Sequence, residues 1–396
     1  MGRVDKPYRV YRGGRARGGV PARPRPGQPQ GINGRAPGPA PEPRQRRRRR
    51  RFGWGRRIAL AVGLLLVACV AWGATSFLAL QSGVREANGE LEPGTLAALD
   101  RQDGLLLSKP TILLLLGTDH STTIVQRAGS RRADSIMLLR TDPEHHRLAF
   151  LSIPRDLRVD IPGHGPNKIN AAFQLGGAPL ALQTVRAFTG LRANHVALVD
   201  FNDFRGLIDA VDGIEVDVPG PILANKFDCP YATQAACDRW AGWRFGRGPQ
   251  EMDGRRALVY ARIRDNRLNT AESDLTRGER QQQVVQAIGK KVLSPLTVIR
   301  LPFIAGEIVR PLTTDLSAAQ FAQLGWLRFR SSPERTLRCR LGGTPDTIGG
   351  QAFLLASEEN RNTIAMFTGA AAPQPPLPGS GPFGPGCFVG ASPRSR

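Results

Sequence analysis

Two aspartates and a set of arginines are the residues of this chain best suited to chemistry. Asp119 closes Leu116-Gly117-Thr118-Asp119, and Asp134 stands in Arg132-Ala133-Asp134-Ser135. Each borders an apolar run that reads as a buried strand. In α/β sheets, ligands bind at strand ends and where strand order switches. Two carboxylates brought together there suit a hard cation such as Mg²⁺, which takes one or two carboxylates plus phosphate oxygens. Arg155 follows a third apolar run in Ser152-Ile153-Pro154-Arg155-Asp156, and Arg262 and Arg264 alternate in Tyr260-Ala261-Arg262-Ile263-Arg264. An extended chain there sets both guanidinium groups on one side. Lys168 lies in Lys168-Ile169-Asn170. Arg277, Arg280 and Gln281 open a helical stretch, whose first N–H groups also favour anions. Arginine's planar fork matches phosphate better than lysine's point charge. Singly, each Asp reads as a loop or capping residue and each Arg as a solvated charge. Together they suit a pyrophosphate held by several cations and one metal ion.

The surrounding pattern says what must position them. Thr111–Leu116, Ser135–Leu139 and Leu148–Ile153 are short continuous apolar runs, as buried strands show. Asp142–His146 supplies a turn, so the second and third pair antiparallel and make the sheet mixed. His195–Val199 and Ile214–Val218 read as strands. Ala178–Phe188, Phe204–Val211, Gly254–Tyr260 and Thr276–Leu293 read as helices, and 225–250 as a loop. The alternation predicts an α/β class: a mixed central β-sheet sandwiched by helices. Leu180, Leu182, Val185, Phe188, Val284 and Ile288 are equally candidates for core and for a slot that takes a lipid chain. Beyond 294 the periodicity weakens, with a helix expected over 317–329 and strand then helix over 351–368.

The charge is confined to one end. The chain has 396 residues and a net charge of +22, yet residues 1–57 alone hold 18 Lys/Arg, 2 Asp/Glu and 20 Gly/Pro. Such a segment buries too little apolar surface to offset its ordering entropy, so a disordered basic tail is expected. No aromatic interleaving or groove-reading element accompanies it, and no nucleic acid is expected as partner. From Ile58 to Leu80 run 23 uncharged, mostly apolar residues, enough to cross a hydrocarbon core of roughly 30 Å. The arginines before this run place the N-terminus in the cytoplasm and the rest outside, with Trp54 and Trp72 near the two interfaces. The run exceeds the apolar region of a cleaved signal peptide. Leu66-Val67-Ala68-Cys69 resembles a lipoprotein box, but the apolar residues continue past Cys69.

Four further cysteines lie on the outer side, where disulfides persist. Three pairings are possible. Cys229–Cys237 with Cys339–Cys387 is favoured, the first closing a short loop and the second tying back a Pro/Gly-rich tail. A zinc site is the alternative, but no Cys-x-x-Cys spacing supports it.

From Leu115 to about Leu293 the chain resembles the LytR–CpsA–Psr family. The resemblance lies in LLGTD (115–119), RRADSIMLLR (131–140), LAFLSIPRDLRV (148–159), KINAAF (168–173), VDGIEVDV (211–218), MDGRRALVYARIR (252–264) and DLTRGERQQQVV (274–285). It implies a family-type α/β/α fold and a membrane-anchored enzyme of cell-wall assembly. The implied reaction moves a glycopolymer phosphate from a polyprenyl-pyrophosphate carrier to peptidoglycan, with Mg²⁺ (or Mn²⁺). Position by position it implies Asp119 and Asp134 as metal-linked aspartates, and Arg132, Arg155, Arg262, Arg264 and Gln281 as pyrophosphate binders. Lys168, Asp274 and Arg277 fall within family motifs. Asp134, Arg132 and Asp119 are then the expected catalytic group, with Asp134 as base. The expected organisation is a tail over 1–57, a span over 58–80 and a stem over 81–108. A catalytic domain over 109–293, a C-terminal extension over 294–369 and a Pro/Gly-rich tail over 370–396 follow.

Two other classes compete. A hydrolase lacks its nucleophile motif, since no Gly-x-Ser-x-Gly occurs. An envelope receptor or regulator that binds polyprenyl (pyro)phosphate lipids leaves the Asp/Arg constellation unexplained. Which glycopolymer is carried is not written in the residues.

Overall fold

A computed structural model describes residues 53–102, 104–119, 132–269, 274–378, 380 and 383–390. The basic tail up to Phe52, with its expected disorder, and the last six residues lie outside the described residues. The first element, α1, is a 36-residue helix over Trp54–Gly89. Among the described residues it is the one single helix long and apolar enough to cross a membrane. It does not stop with the apolar run. Val84 and Ala87, a turn or two further on, are buried in the folded part of the molecule.

The short helix α2 (Thr95–Ala98) leads to the hairpin strands β1 (Ile112–Asp119), β2 (Arg132–Asp142) and β3 (Arg147–Ile153). A small β4 (Leu157–Ile161) and β5 (Gly165–Lys168) pair follows, then helix α3 (Ala171–Thr189). Next come β6 (His195–Asp200), α4 (Phe201–Ala210), β7 (Ile214–Val218), β8 (Ile222–Leu223) and α5 (Gln234–Arg239). β9 (Arg244–Phe245), β10 (Gly248–Met252), α6 (Gly254–Arg262) and α7 (Asp274–Val292) continue the chain. After residue 294 it forms α8 (Pro295–Val309), β11 (Thr313–Thr314), α9 (Ala318–Arg330) and β12 (Leu337–Arg340). It ends with β13 (Gly343–Ile348), β14 (Gln351–Ala356), α10 (Asn360–Thr368) and β15 (Gly386–Val389).

Seven strands form the central sheet in the order β11-β6-β1-β2-β3-β12-β15. β1 is antiparallel to β2 and parallel to β6, so the sheet is mixed as expected. Both faces are covered, which is why the central strands read as unbroken apolar runs. Side chains alternate along β1. Leu114 and Leu116 pack with Leu180, Leu182 and Val185 of α3 and with Phe367 of α10. Leu113 and Leu115 turn the other way and pack with Leu316, Phe321 and Leu324 around α9. A second core unites α4, β7, α6, α7, α8 and the C-terminal end of α1.

Three local features differ from expectation. The 225–250 segment holds α5, β9 and β10, and β10 pairs antiparallel with β7. Helix α3 starts earlier than its apolar stripe and bends at Gly176 and Gly177, the latter at φ 59°. There the Glu92 carboxylate accepts from the Ala178 N–H at 2.9 Å, capping the restarted helix ahead of Pro179. Residues past 293 are no appendage. β12 pairs parallel with β3, and β15 closes that edge. Cys339 and Cys387 face each other in this last pair and form one disulfide, while Cys229 and Cys237 form the other.

Candidate functional site

A bulge aims Asp134. Across the β1–β2 ladder Gly117 faces Ser135 and Thr118 faces Ala133, so Asp134 is the extra residue. Bulges of this kind redirect side chains and recur beside active sites. Asp134 lines a cavity of about 770 Å³, and its Oδ1 accepts from Arg155 Nη1 at 2.5 Å. Asp119 and Arg132 are register partners at the open end of the same two strands. Their side chains, and that of Asp274, lie outside the described residues.

The cavity has two chemically distinct ends, and α7 runs the length of both. Arg277 and Gln281 line it first, then Val284, Val285 and Ile288. These positions share one helix face and span about 17 Å at 1.5 Å per residue. At the polar end they meet Asp134, Arg155, Arg262, Arg264 and Asp265. At the apolar end they face Leu113, Leu115 and Met137 of the sheet, and Leu312, Leu316, Phe321 and Leu324. The expected alternation of Arg262 and Arg264 holds. α6 ends at Arg262, Ile263 is fully buried, and both arginines line the cavity.

Each cation is held in place. Arg262 is bonded to the Asp228 carboxylate and stacks over the rings of Phe201 and Phe227, 4.6 and 5.6 Å from their centroids. Arg277 and Arg280 are both nearly buried, and Arg280 donates to the Ile263 carbonyl at 2.8 Å. Gln281 is bonded to the Ser135 hydroxyl at 2.8 Å, which fixes its amide beside Asp134.

Lys168 is not brought to the cavity. Its strand β5 pairs with β4, which turns Nζ to the Asp156 carboxylate at 2.9 Å and over the Phe353 ring. Arg155 also contacts Asp156, at 3.4 Å. Burial works to raise the Asp156 carboxyl, but the Lys168 bond and the charges of Arg155, Lys168 and Arg277 outweigh it. They hold Asp156 below the usual carboxylate range. Lys168 thus supports Arg155 through Asp156. Of the six apolar helix residues offered as a slot, Val284 and Ile288 line the cavity. Leu180, Leu182, Val185 and Phe188 pack on the opposite sheet face. The wall from Leu312 to Leu324 escaped the sequence reading. Ser317–Phe329 gave a helical signal, but nothing in it tells which face meets the cavity.

Among the described residues no group of three or more acidic, His or Cys side chains gathers to hold a metal. Mg²⁺ does not need one, since phosphate oxygens complete its shell. Asp134 in the cavity, with Asp119 at the neighbouring strand end, suits such an ion.

The LytR_cpsA_psr family description matches residues 82–364. The regulatory protein MsrR of Staphylococcus aureus is 31% identical over 215 residues, covering 54% of this chain and 58% of that protein. The chain thus spans little more than half the length of that relative. A second relative, from Halalkalibacterium halodurans, is named polyisoprenyl-teichoic acid–peptidoglycan teichoic acid transferase TagU. It is 25% identical over 307 residues, covering 76% of this chain and 92% of that protein. A solved structure described as TagT bound to LIIa-WTA superposes with a TM-score of 0.50 at 26% identity. It covers 68% of this chain and 94% of that one.

Proposed function

The chain belongs to the LytR–CpsA–Psr family, and from that premise we propose that it transfers a glycopolymer phosphate from a polyprenyl-pyrophosphate carrier to a sugar hydroxyl of peptidoglycan. The observation that supports this reading is one continuous cavity with an arginine-rich end and an apolar end. A pyrophosphate with a long prenyl tail has that same division of charge and hydrocarbon. The name of the TagU relative supports the reaction class.

The donor's pyrophosphate seats against Arg155, Arg262, Arg264 and Arg277, with Arg132 at the strand end and Gln281 donating from its amide. The prenyl chain lies between α7 and α9. Phosphoryl transfer depends on positioning and charge neutralisation more than on covalent catalysis. The acceptor hydroxyl attacks the glycopolymer-side phosphorus, and Asp134 takes its proton. The bond from that phosphorus to the bridging oxygen breaks, and polyprenyl phosphate leaves, its charge met by the arginines. Asp134 and Asp119 would hold Mg²⁺ (or Mn²⁺), which when bound neutralises phosphate charge. α1 anchors the chain in the membrane with the N-terminus inside and the cavity outside.

The test supplies full-length protein in detergent with Mg²⁺, a defined polyprenyl-pyrophosphate glycan and peptidoglycan strands. Release of polyprenyl phosphate with sugar phosphate on the acceptor is expected. Donor binding with no release, whatever acceptor is supplied, supports the receptor reading instead.

A further inference from the structure

Helix α8 leaves an apolar face uncovered. Leu296, Ile299 and Phe303 are 72%, 67% and 82% exposed, and steps of three and four set them on one side. The opposite side is anchored, with Thr297, Ile304, Ala305 and Ile308 buried. α8 also packs along α1. Trp72 Nε1 donates to the Ile299 carbonyl at 3.1 Å, and Arg310 Nε donates to Glu86 at 2.8 Å. Between them the helices touch at two glycines, where a Cβ on Gly83 would stand 2.5 Å from the Gly306 oxygen. These contacts advance in step along both helices. α8 therefore runs beside α1 with its N-terminus directed toward the apolar run. α7 meets α8 at a bend of 87°, and Lys290 and Lys291 stand at that corner.

We propose that the tip of α8, residues 296–303, inserts into the outer interface of the lipid bilayer beside α1. This rests on Ile58–Leu80 being a membrane span. Lipid is the occupant because this end of α8 lies beside the apolar run of α1, where Leu65, on the same side as Trp72, is 63% exposed. Ile299 is also level with Trp72, the residue expected at the outer interface. Interfacial helices sink their apolar face roughly 5–10 Å into the headgroup boundary and keep basic residues at its rim. Arg300, paired with Asp212, and the two corner lysines occupy that rim. With α8 upright beside α1, α7 lies nearly flat on the membrane and holds its cavity wall at a fixed height above the lipid.

Site-specific fluorescence on full-length protein tests this, in vesicles of phosphatidylcholine and phosphatidylglycerol. The other four cysteines are in disulfides, so Ile299→Cys and Phe303→Cys in a Cys69→Ser background take a single environment-sensitive dye. A dye on native Cys69 reports the span, and one on Leu377→Cys, 54% exposed, reports water. The expected result is blue-shifted emission at 299 and 303, quenched by lipid-borne nitroxide as at Cys69 and shielded from iodide. Iodide quenching at 299 and 303 equal to that at 377, with Cys69 still lipid-quenched, overturns the proposal and leaves the span intact. Shielding from both quenchers assigns the face to a protein partner and equally overturns it. Loss of lipid quenching at Cys69 removes the span and the proposal together.

Discussion

Replacing Arg262 separates a ligand-binding role from a structural one. Its side chain is 27% exposed and its partner Asp228 46% exposed. An ion pair that open contributes about 0–1 kcal/mol to folding. Stacking over Phe201 and Phe227 adds roughly 0.5–1 kcal/mol per ring at such exposure. Arg262→Ala should therefore cost folding about 1–3 kcal/mol, a fall of a few degrees in Tm. Charge-assisted bonds to a phosphate contribute about 1.5–3 kcal/mol, and 1.36 kcal/mol is a factor of ten, so transfer should fall roughly 10- to 150-fold. Arg262→Lys keeps the charge but loses the fork, so it should retain donor binding better than transfer. Because Arg264 faces the same ligand, the double Ala variant should lose less than the product of the two single effects. The assay pairs donor binding and product formation with thermal melting. If Arg262→Ala melts far lower yet transfers at the wild-type rate when cold, the arginine belongs to the fold and the phosphate reading of this site is wrong.

Removing the Cys339–Cys387 bridge with paired serines should lower stability by about 4 kcal/mol, against roughly 2.5 kcal/mol for Cys229–Cys237. Loop-closure entropy grows with the 48- and 8-residue separations, and denaturant midpoints measure both. Burial, with the charges of Asp200 and Glu90, raises the Asp203 carboxyl from 3.8 to about 6. Between those values the folded state binds more protons than the unfolded, so stability falls as pH rises through that window. Asp203→Asn should stabilise above about pH 6.5 and do nothing near pH 3.5; melts across that range that show equal gain throughout refute the assignment. Gly306→Leu places a side chain 2.9 Å from the Ala79 carbonyl. Prising α8 from α1 should cost about 1–3 kcal/mol, read by melting in detergent, whereas Gly325→Ala, in open space on α9, should not.

What the sequence made legible was local. The strand runs, the Arg262/Arg264 alternation and the polar start of α7 are each written within a dozen residues, and the fold keeps them together. What it hid depends on long-range pairing. An apolar stripe says that a helix is covered, not by which sheet face, so Leu182 and Ile288 read alike but lie on opposite sides of the sheet. β12 enters the sheet through its pairing with β3, far earlier in the chain. β10, Gly248–Met252, carries a Gly-Pro start and an alternation that only its partner β7 makes sense of. α8 has Pro302 within it, and its uncovered face breaks the usual inward stripe. The bulge at Asp134 leaves no signature beyond an acidic residue at the border of an apolar run.

The cavity takes its two apolar walls from segments far apart in the chain: Leu113 and Leu115 from β1, Phe321 and Leu324 from α9. In the proposed topology the outer part of the chain crosses the membrane N-terminal side first, so the near wall emerges long before the far one. A nascent molecule therefore presents a greasy half-groove with its cationic grip still unbuilt, because Arg262 and Arg277 follow later. On the proposed function, capture of a lipid-linked polymer would wait until translocation has passed α9, because a chain arrested midway lacks both the far wall and the arginines.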